Sequence, residues 1–298
     1  MKQGILLSVA SSTLFATMYY YATLMQPFDG DIVFAWRILM GLPMLALVVQ
    51  RARGWGAIRQ TARRFARGRF LVAMLACAAL LGLQLWLFVW APLHGEALNV
   101  SMGYFLLPLM MVLVGRVFYG ERLSVWQRWA VGLAVLGVGH EWLRLGTVSW
   151  TTALAALGYV PYFMLRRRLR IDALSSLWFD MVFLLPVAVV ILQAQGADTV
   201  RLFAEYPRLI AQVPLLGLLS VTSLSMYLAA SRILPLSLFG LLSYVEPVLL
   251  FWVAFLLMGE PVAPAQWLTY VPIWGAVGLI AVEGVRKLKA APPEGSAA

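Results

Sequence analysis

Three ionisable residues stand inside long apolar runs: Arg37, Asp180 and Glu246. Such groups are expensive in hydrocarbon, so each marks a candidate contact with a substrate or a proton. Glu246 directly precedes Pro247, near the middle of its run. The proline frees a backbone carbonyl one turn earlier and loosens a helix there. A carboxyl beside such a break can meet a substrate amine or carry a proton; the alternative is a hydrogen-bonded structural glutamate. Arg37 lies near one end of its run, where it can snorkel to the surface or bond a loop carbonyl. Asp180 is placed to answer the arginines at positions 166–170.

Uncharged polar and aromatic residues form stripes. Ser8, Ser12 and Tyr19 share roughly one face of the first run; Thr152, Tyr159, Tyr162 and Phe163 share one on the sixth. Ser220, Ser223, Tyr227 and Ser231 mark the eighth run, and Ser237, Gly240, Ser243 and Tyr244 the ninth. Gln84, Trp86 and Trp90 lie on the third, while Asn99 and Met102 open the fourth. Small and hydroxyl residues on a helix face commonly pack neighbouring helices. Their concentration in these runs also suits a cavity for a small amphipathic solute. The expected substrate contacts are Ser12, Tyr19, Gln84, Trp86, Asn99, Met102, Tyr159, Tyr162, Ser223, Tyr227, Ser243, Tyr244 and Glu246. The expected hinges are Pro43, Pro108, Pro186 and Pro247, since kinks trace mostly to proline or glycine.

Other chemistries lack their residues. The three lysines, Lys2, Lys287 and Lys289, do not sit in a phosphate-cradling GxxxxGK[ST] loop, which excludes primary pumping by this chain alone. His94 and His140 are the two histidines, and His140-Glu141 lacks the second histidine of an HExxH zinc site. Cys77 stands alone in an apolar run, so no internal disulfide or CxxC site is available. An enzyme is not expected, nor a metal or cofactor.

The elements that position these residues follow from composition. The chain has 298 residues, 62% apolar and 12% charged, about half the charge of an ordinary soluble domain. A helix needs roughly 20 apolar residues to cross the hydrocarbon, and runs of that kind fall near 4–24, 32–50, 70–91, 98–118, 125–143, 148–165, 174–194, 209–231, 236–258 and 264–285. The backbone must bond to itself in lipid, so these are expected to be helices. Met1-Lys2-Gln3 and the run after it read as a retained first span rather than a cleaved signal. Spans 5 and 10 carry few polar residues at mid-depth and read as peripheral.

The net charge of +10 is concentrated in alternate short loops, above all Arg51–Arg69 and Arg166–Arg170. That is the positive-inside pattern, so the basic side is cytoplasmic, holds both termini and implies no nucleic-acid partner. The basic 51–69 segment can lie on anionic lipid. The tail, 287–298, is expected to be disordered.

The chain also repeats itself. Leu42-Pro43…Gln50 recurs as Leu185-Pro186…Gln193, 143 residues on, and Pro108…Gly120-Glu121…Gln127 recurs as Pro247…Gly259-Glu260…Gln266, 139 residues on. Seven arginines follow Gln50 between positions 51 and 69, whereas Gln193 is followed by Asp198 and Glu205 with only Arg201 and Arg208. Five spans per copy and reversed flanking charge predict an all-α integral membrane protein of about ten transmembrane helices. They form two inverted five-helix repeats, 1–143 and 148–286.

These segments resemble the drug/metabolite transporter superfamily, in its EamA-type arrangement of two five-helix repeats. The likeness covers about 3–286 and rests on Ala35-Trp36-Arg37, Gly103-Tyr104-Phe105…Pro108-Leu109, Gly120-Glu121-Arg122-Leu123, Pro235-Leu236-Ser237…Gly240-Leu241-Leu242-Ser243-Tyr244…Pro247 and Gly259-Glu260-Pro261. Within it the look is closest to the RarD and YddG group. Family members often carry Asn or Glu before the fourth-span proline, where this chain has Leu107. The resemblance implies a bacterial inner-membrane exporter, and its YddG-like side implies amino acids, neutral and aromatic ones included. The expected function is therefore broad amino-acid export by alternating access, by a chain able to work as a monomer amid membrane lipid. A drug or metabolite exporter of the same fold is the alternative, and a receptor or scaffold the third reading.

Overall fold

The computed structural model describes residues 2–120, 123–146, 148–234 and 242–290. Among them all regular structure is helical: α1 (Lys2–Leu24), α2 (Gly30–Arg51), α3 (Trp55–Arg63), α4 (Gly68–Trp90), α5 (Ala97–Tyr119), α6 (Val125–Leu145), α7 (Trp150–Leu169), α8 (Ala173–Ala194), α9 (Gly196–Glu205), α10 (Arg208–Ile233), α11 (Val245–Trp252) and α12 (Trp267–Ala290). Six of these segments are long and apolar enough to cross a membrane: Lys2–Leu24, Gly30–Arg51, Gly68–Leu93, Ala97–Phe118, Ala173–Ala194 and Arg208–Ala230. The other expected spans coincide with α6, α7 and α12, and with the shorter apolar stretch Val245–Leu257, where a π-helical turn (Val253–Leu257) follows α11. Ser237, Gly240 and Glu121 lie outside the described residues. Of the expected tail, residues 287–290 continue α12, and the remainder also lies outside them.

The helix ends are set by local sequence, twice over. Asp29 caps α2, its carboxylate 2.6 Å from Gly30 N, and Asp172 caps α8 at 2.9 Å from Ser175 N. Gly120 and Gly259 both take left-handed backbone, at φ 66° and 70°, which glycine adopts without a Cβ penalty. After each, a glutamine reaches back to a backbone N–H: Ser124 N donates to Gln127 Oε1 at 3.0 Å, and Ala263 N to Gln266 Oε1 at 2.7 Å. The sequence echoes thus recur as the same local geometry.

Packing joins the two halves of the chain throughout. α1 lies on α10, α5 on α7, and α2 on both α8 and α10; α4 lies on α7 and α8, and α11 on α1 and α5. α6 packs chiefly on α12, forming a separate pair beside the others. The Arg51–Arg69 segment is not a loose loop. It folds into α3, which turns Ile58 and Thr61 inward and sets Trp55 edge-on to Trp178 of α8. Arg59, Arg63 and Arg67 stay exposed.

Candidate functional site

Arg37 departs from its expected place. It does not snorkel to the surface but is buried, 3% exposed. Its Nε donates to Ser220 Oγ of α10 at 3.0 Å and its Nη1 to the Leu85 carbonyl of α4 at 3.2 Å. The guanidinium lies 5.4 Å from the centroid of the Phe88 ring. The acceptors are thus a hydroxyl and a helix carbonyl of neighbouring spans, not a loop carbonyl. Sequence depth places a residue along a helix; only the packing of α2 between α4 and α10 fixes which way it faces.

Around Phe88 the rings are contiguous. Tyr19 meets it edge-on at 4.9 Å, Phe15 at 6.3 Å and Tyr104 at 6.3 Å; Phe15 continues to Tyr227 at 6.5 Å, and Tyr104 to Tyr159 at 6.3 Å. Glu246, from α11, lies within electrostatic reach of Arg37, Tyr104, Tyr159 and Tyr227. Arg37 and Glu246 do not form one of the ion pairs among the described residues, so the two charged groups are farther apart than a direct contact. Tyr159, Tyr227 and Glu246 are half-buried, each keeping part of its surface accessible. The residues of this cluster come from α1, α2, α4, α5, α7, α10 and α11, from both halves of the chain.

Several expected contacts belong to this cluster: Tyr19, Tyr159, Tyr227 and Glu246. Tyr19 is fully buried and donates to the Ala97 carbonyl at 3.2 Å. Ser12 and Met102 are buried on α1 and α5. Ser223 bonds within its own helix, to the Leu219 and Ser220 carbonyls. Gln84 is buried at the crossing of α4 and α7, donating to the Leu154 carbonyl at 2.9 Å, so it ties helices together. Ser243 is half-buried; Tyr244 is buried, its hydroxyl without a hydrogen-bond partner among the described residues. Of the expected hinges, Pro43 and Pro186 face outward from α2 and α8, Pro247 is buried in α11, and the Pro108 side chain lies outside the described residues. Tyr104, Phe15 and Phe88 complete the cluster without having been expected as contacts, and Arg37 joins them as one of the three ionisable candidates. Phe15 and Phe88 carry no signal distinguishing them from packing residues.

Two more expected contacts sit at the end of the bundle remote from the arginine-rich segments. Trp86 donates to Asp31 Oδ1 at 2.6 Å and stands beside Trp90 and Trp150. Asn99 donates to Glu96 Oε2 at 2.8 Å, which also accepts from Thr151 Oγ1 at 2.8 Å. A surface cavity of about 470 Å³ opens at the same end, with Phe28, Asp29, His94, Tyr206 and Arg208 among its walls. It contains none of the central rings. Tyr162 sits toward the arginine-rich end, where its hydroxyl meets Asp180 Oδ2 at 3.1 Å. Arg166 pairs with the same oxygen at 3.2 Å, as the positions of Asp180 and the arginines led one to expect.

Comparison with known proteins supplies the family. Residues 2–139 match the EamA-like transporter family. The chain is 49% identical over 288 residues to the chloramphenicol-sensitive protein RarD of Pseudomonas aeruginosa, covering 96% of each. It is 37% identical over 288 residues to an uncharacterized transporter of Haemophilus influenzae, again covering 96% of each. A crystal structure with 18% sequence identity superposes with a TM-score of 0.56, covering 97% of this chain and all of that one, which shows likeness of fold alone. With relatives of this identity along nearly its whole length, the chain belongs to the EamA-like transporter family.

Proposed function

We propose that this transporter exports amino acids across the bacterial inner membrane by alternating access, with broad preference that includes neutral and aromatic ones. The observation that carries the reading is the placement of Arg37 and Glu246, not in direct contact, among the rings of Phe15, Phe88, Tyr104, Tyr159 and Tyr227, which we read as the lining of a central space for substrate. A guanidinium and a carboxylate that are not in contact can take the two ends of an α-amino acid. Aromatic walls accept many side chains without selecting one. The hydroxyl and aromatic groups among the expected contacts therefore share the work with a charge on each side.

In this reading ten spans form two inverted repeats, 1–143 and 148–286, with both termini on the arginine-rich cytoplasmic side. Exchanging the halves turns the α1–α10 packing into that of α7 on α4. It likewise turns α5–α7 into α11–α1, and α2–α10 into α8–α4, and each of these contacts is present. The two halves rock about the central space, one chain sufficing for the pathway. The chloramphenicol sensitivity in the name of the Pseudomonas aeruginosa relative favours a second reading, in which a neutral aromatic drug occupies the same site.

The test is uptake by proteoliposomes holding the purified protein, with radiolabelled amino acids and chloramphenicol as the panel. Accumulation of several amino acids above empty vesicles is expected. Transport of chloramphenicol alone would establish the second reading, and transport of none by folded protein would overturn both.

A further inference from the structure

Asp180 has no role in the site described so far, and its surroundings are unusual. It is wholly buried, 0% exposed. Oδ2 is shared by the Tyr162 hydroxyl and Arg166, whereas Oδ1 has no hydrogen-bond partner among the described residues. A buried ion pair offsets its desolvation only when the remaining lone pairs are satisfied. Here one oxygen is left bare, which makes the ionised pair a marginal arrangement. A proton on Oδ1 removes the charge and gives that oxygen a hydrogen to donate. Ser176, one turn earlier on α8, is also buried with an unpartnered hydroxyl, and the (i, i+4) spacing puts it on the same face to accept.

The groups that face Asp180 can be named by helix. α7 supplies Tyr162 and Arg166, and α4 supplies Cys77, within electrostatic reach. α2, α3 and α9 also pack on α8, but among the described residues they set no titratable group that acts on it. Arg166 is the exchangeable partner. Its side chain keeps 17% of its surface exposed and belongs to the basic end of α7, so it can turn to water when the carboxyl is neutral. The other end of this cluster reaches the central space, since Tyr162 stands 6.2 Å from Tyr159 between ring centroids, and Tyr159 lines that space. One helix, α7, therefore carries both a wall of the central space and the partners of Asp180.

We propose that Asp180 is the proton-coupling carboxylate of the transport cycle, exchanging its Arg166 partner for a proton. A proton from water binds Oδ1 and Arg166 is released. Loss of that proton to water in the other access state restores the ion pair. The alternation of α7 and α8 between these two arrangements biases the two access states. This inference rests on the alternating-access reading but not on the identity of the substrate.

Two measurements on the full-length protein test it. The first needs no substrate: infrared titration of the detergent-purified protein is expected to show a carboxylic acid band that appears as the pH falls and is absent from Asp180→Asn. The second uses whichever substrate the panel identifies. Asp180→Asn is expected to lose accumulation driven by a pH gradient, down to empty vesicles, while keeping exchange of labelled for unlabelled substrate. Should the asparagine variant lose its monodisperse form, Asp180→Glu decides the question, since its acid band must move in position. A titrating band unchanged in either variant, or gradient-driven accumulation retained by Asp180→Asn, overturns the proposal. If wild type transports no amino acid, the export reading fails, and the infrared titration still judges Asp180.

Discussion

Glu260 reaches across the molecule to cap α5: its Oε1 accepts from Ala97 N at 2.8 Å, and its Oε2 from Leu98 N at the same distance. The loop before α12 thus holds the N-terminus of a helix from the other half, where orphan amides and the helix dipole favour an anion. Tyr19 bonds the same turn through the Ala97 carbonyl, so α1, α5 and that loop are tied at one end. Glu260→Ala leaves two amides unpaired and is expected to destabilise the protein by about 1–3 kcal/mol, read as a lower melting temperature in detergent. Burial, assisted by the charge of Glu96, holds the Glu260 carboxyl above its ordinary value despite the two backbone bonds that pull it down. A raised value means that the capped state binds the proton more tightly than the released state. The stability contributed by that proton is full below the ordinary glutamate range and is lost as the pH rises through the raised value. Glu260→Gln is expected to flatten this part of the pH profile; an unchanged profile would assign it to another group.

Arg37 is held by geometry that lysine cannot copy, because its two bonds leave different nitrogens of one planar fork toward Ser220 and the Leu85 carbonyl. Arg37→Lys is expected to abolish transport while the protein stays folded. Ser220→Ala should remove a single bond, cost about 1–2 kcal/mol of stability and leave partial transport. Equal loss of transport in both variants would mean that Arg37 acts only by fixing α2 to α10. Paired transport assays and melting curves separate these outcomes.

The parts of this fold legible in sequence are those fixed locally or repeated. Six of the span positions expected from hydrocarbon thickness recur as helices long and apolar enough to cross a membrane. The matched Gly120 and Gly259, and Gln127 and Gln266, announced the same turn twice, because left-handed backbone and a back-reaching amide leave residue signatures. What failed to show was the direction in which a polar residue faces. Gln84 and Trp86, two positions apart on α4, both looked like cavity residues; one ties α4 to α7 and the other hydrogen-bonds Asp31 at the end of α2. The long helices such as α1, α6 and α10 are apolar on most faces, so periodicity gives them little azimuth. Arg37 was misplaced for the same reason.

Gly103 marks a close approach that the sequence does not announce. A Cβ there would stand 2.5 Å from the Ala155 Cβ and 2.6 Å from the Thr152 carbonyl, both on α7. The second of these is backbone and cannot rotate away. Gly103→Ala is therefore expected to push α5 from α7 and to destabilise by about 1–3 kcal/mol. Because Tyr104 and Tyr159 sit on these same two helices, transport should fall with it. Gly132→Ala, where a Cβ meets nothing within 4 Å, is the control and should leave both melting temperature and transport unchanged.

The pair α6–α12 predicts the opposite dissociation, a loss of stability without loss of transport. Glu141 is buried at this crossing, its Oε2 accepting from Thr269 Oγ1 at 2.7 Å and its Oε1 paired with Arg144. His140 Nδ1 lies 3.0 Å from the same threonine hydroxyl, so one side chain of α12 meets two of α6. Thr269→Val keeps the shape and deletes the hydroxyl. Interhelical bonds of this kind contribute about 1 kcal/mol in a membrane, and the valine variant should melt correspondingly lower. None of the central rings comes from α6 or α12, so the rate of substrate uptake per folded molecule should match wild type. A fall in uptake at unchanged stability would show that this pair moves with the transport cycle and does not merely flank it.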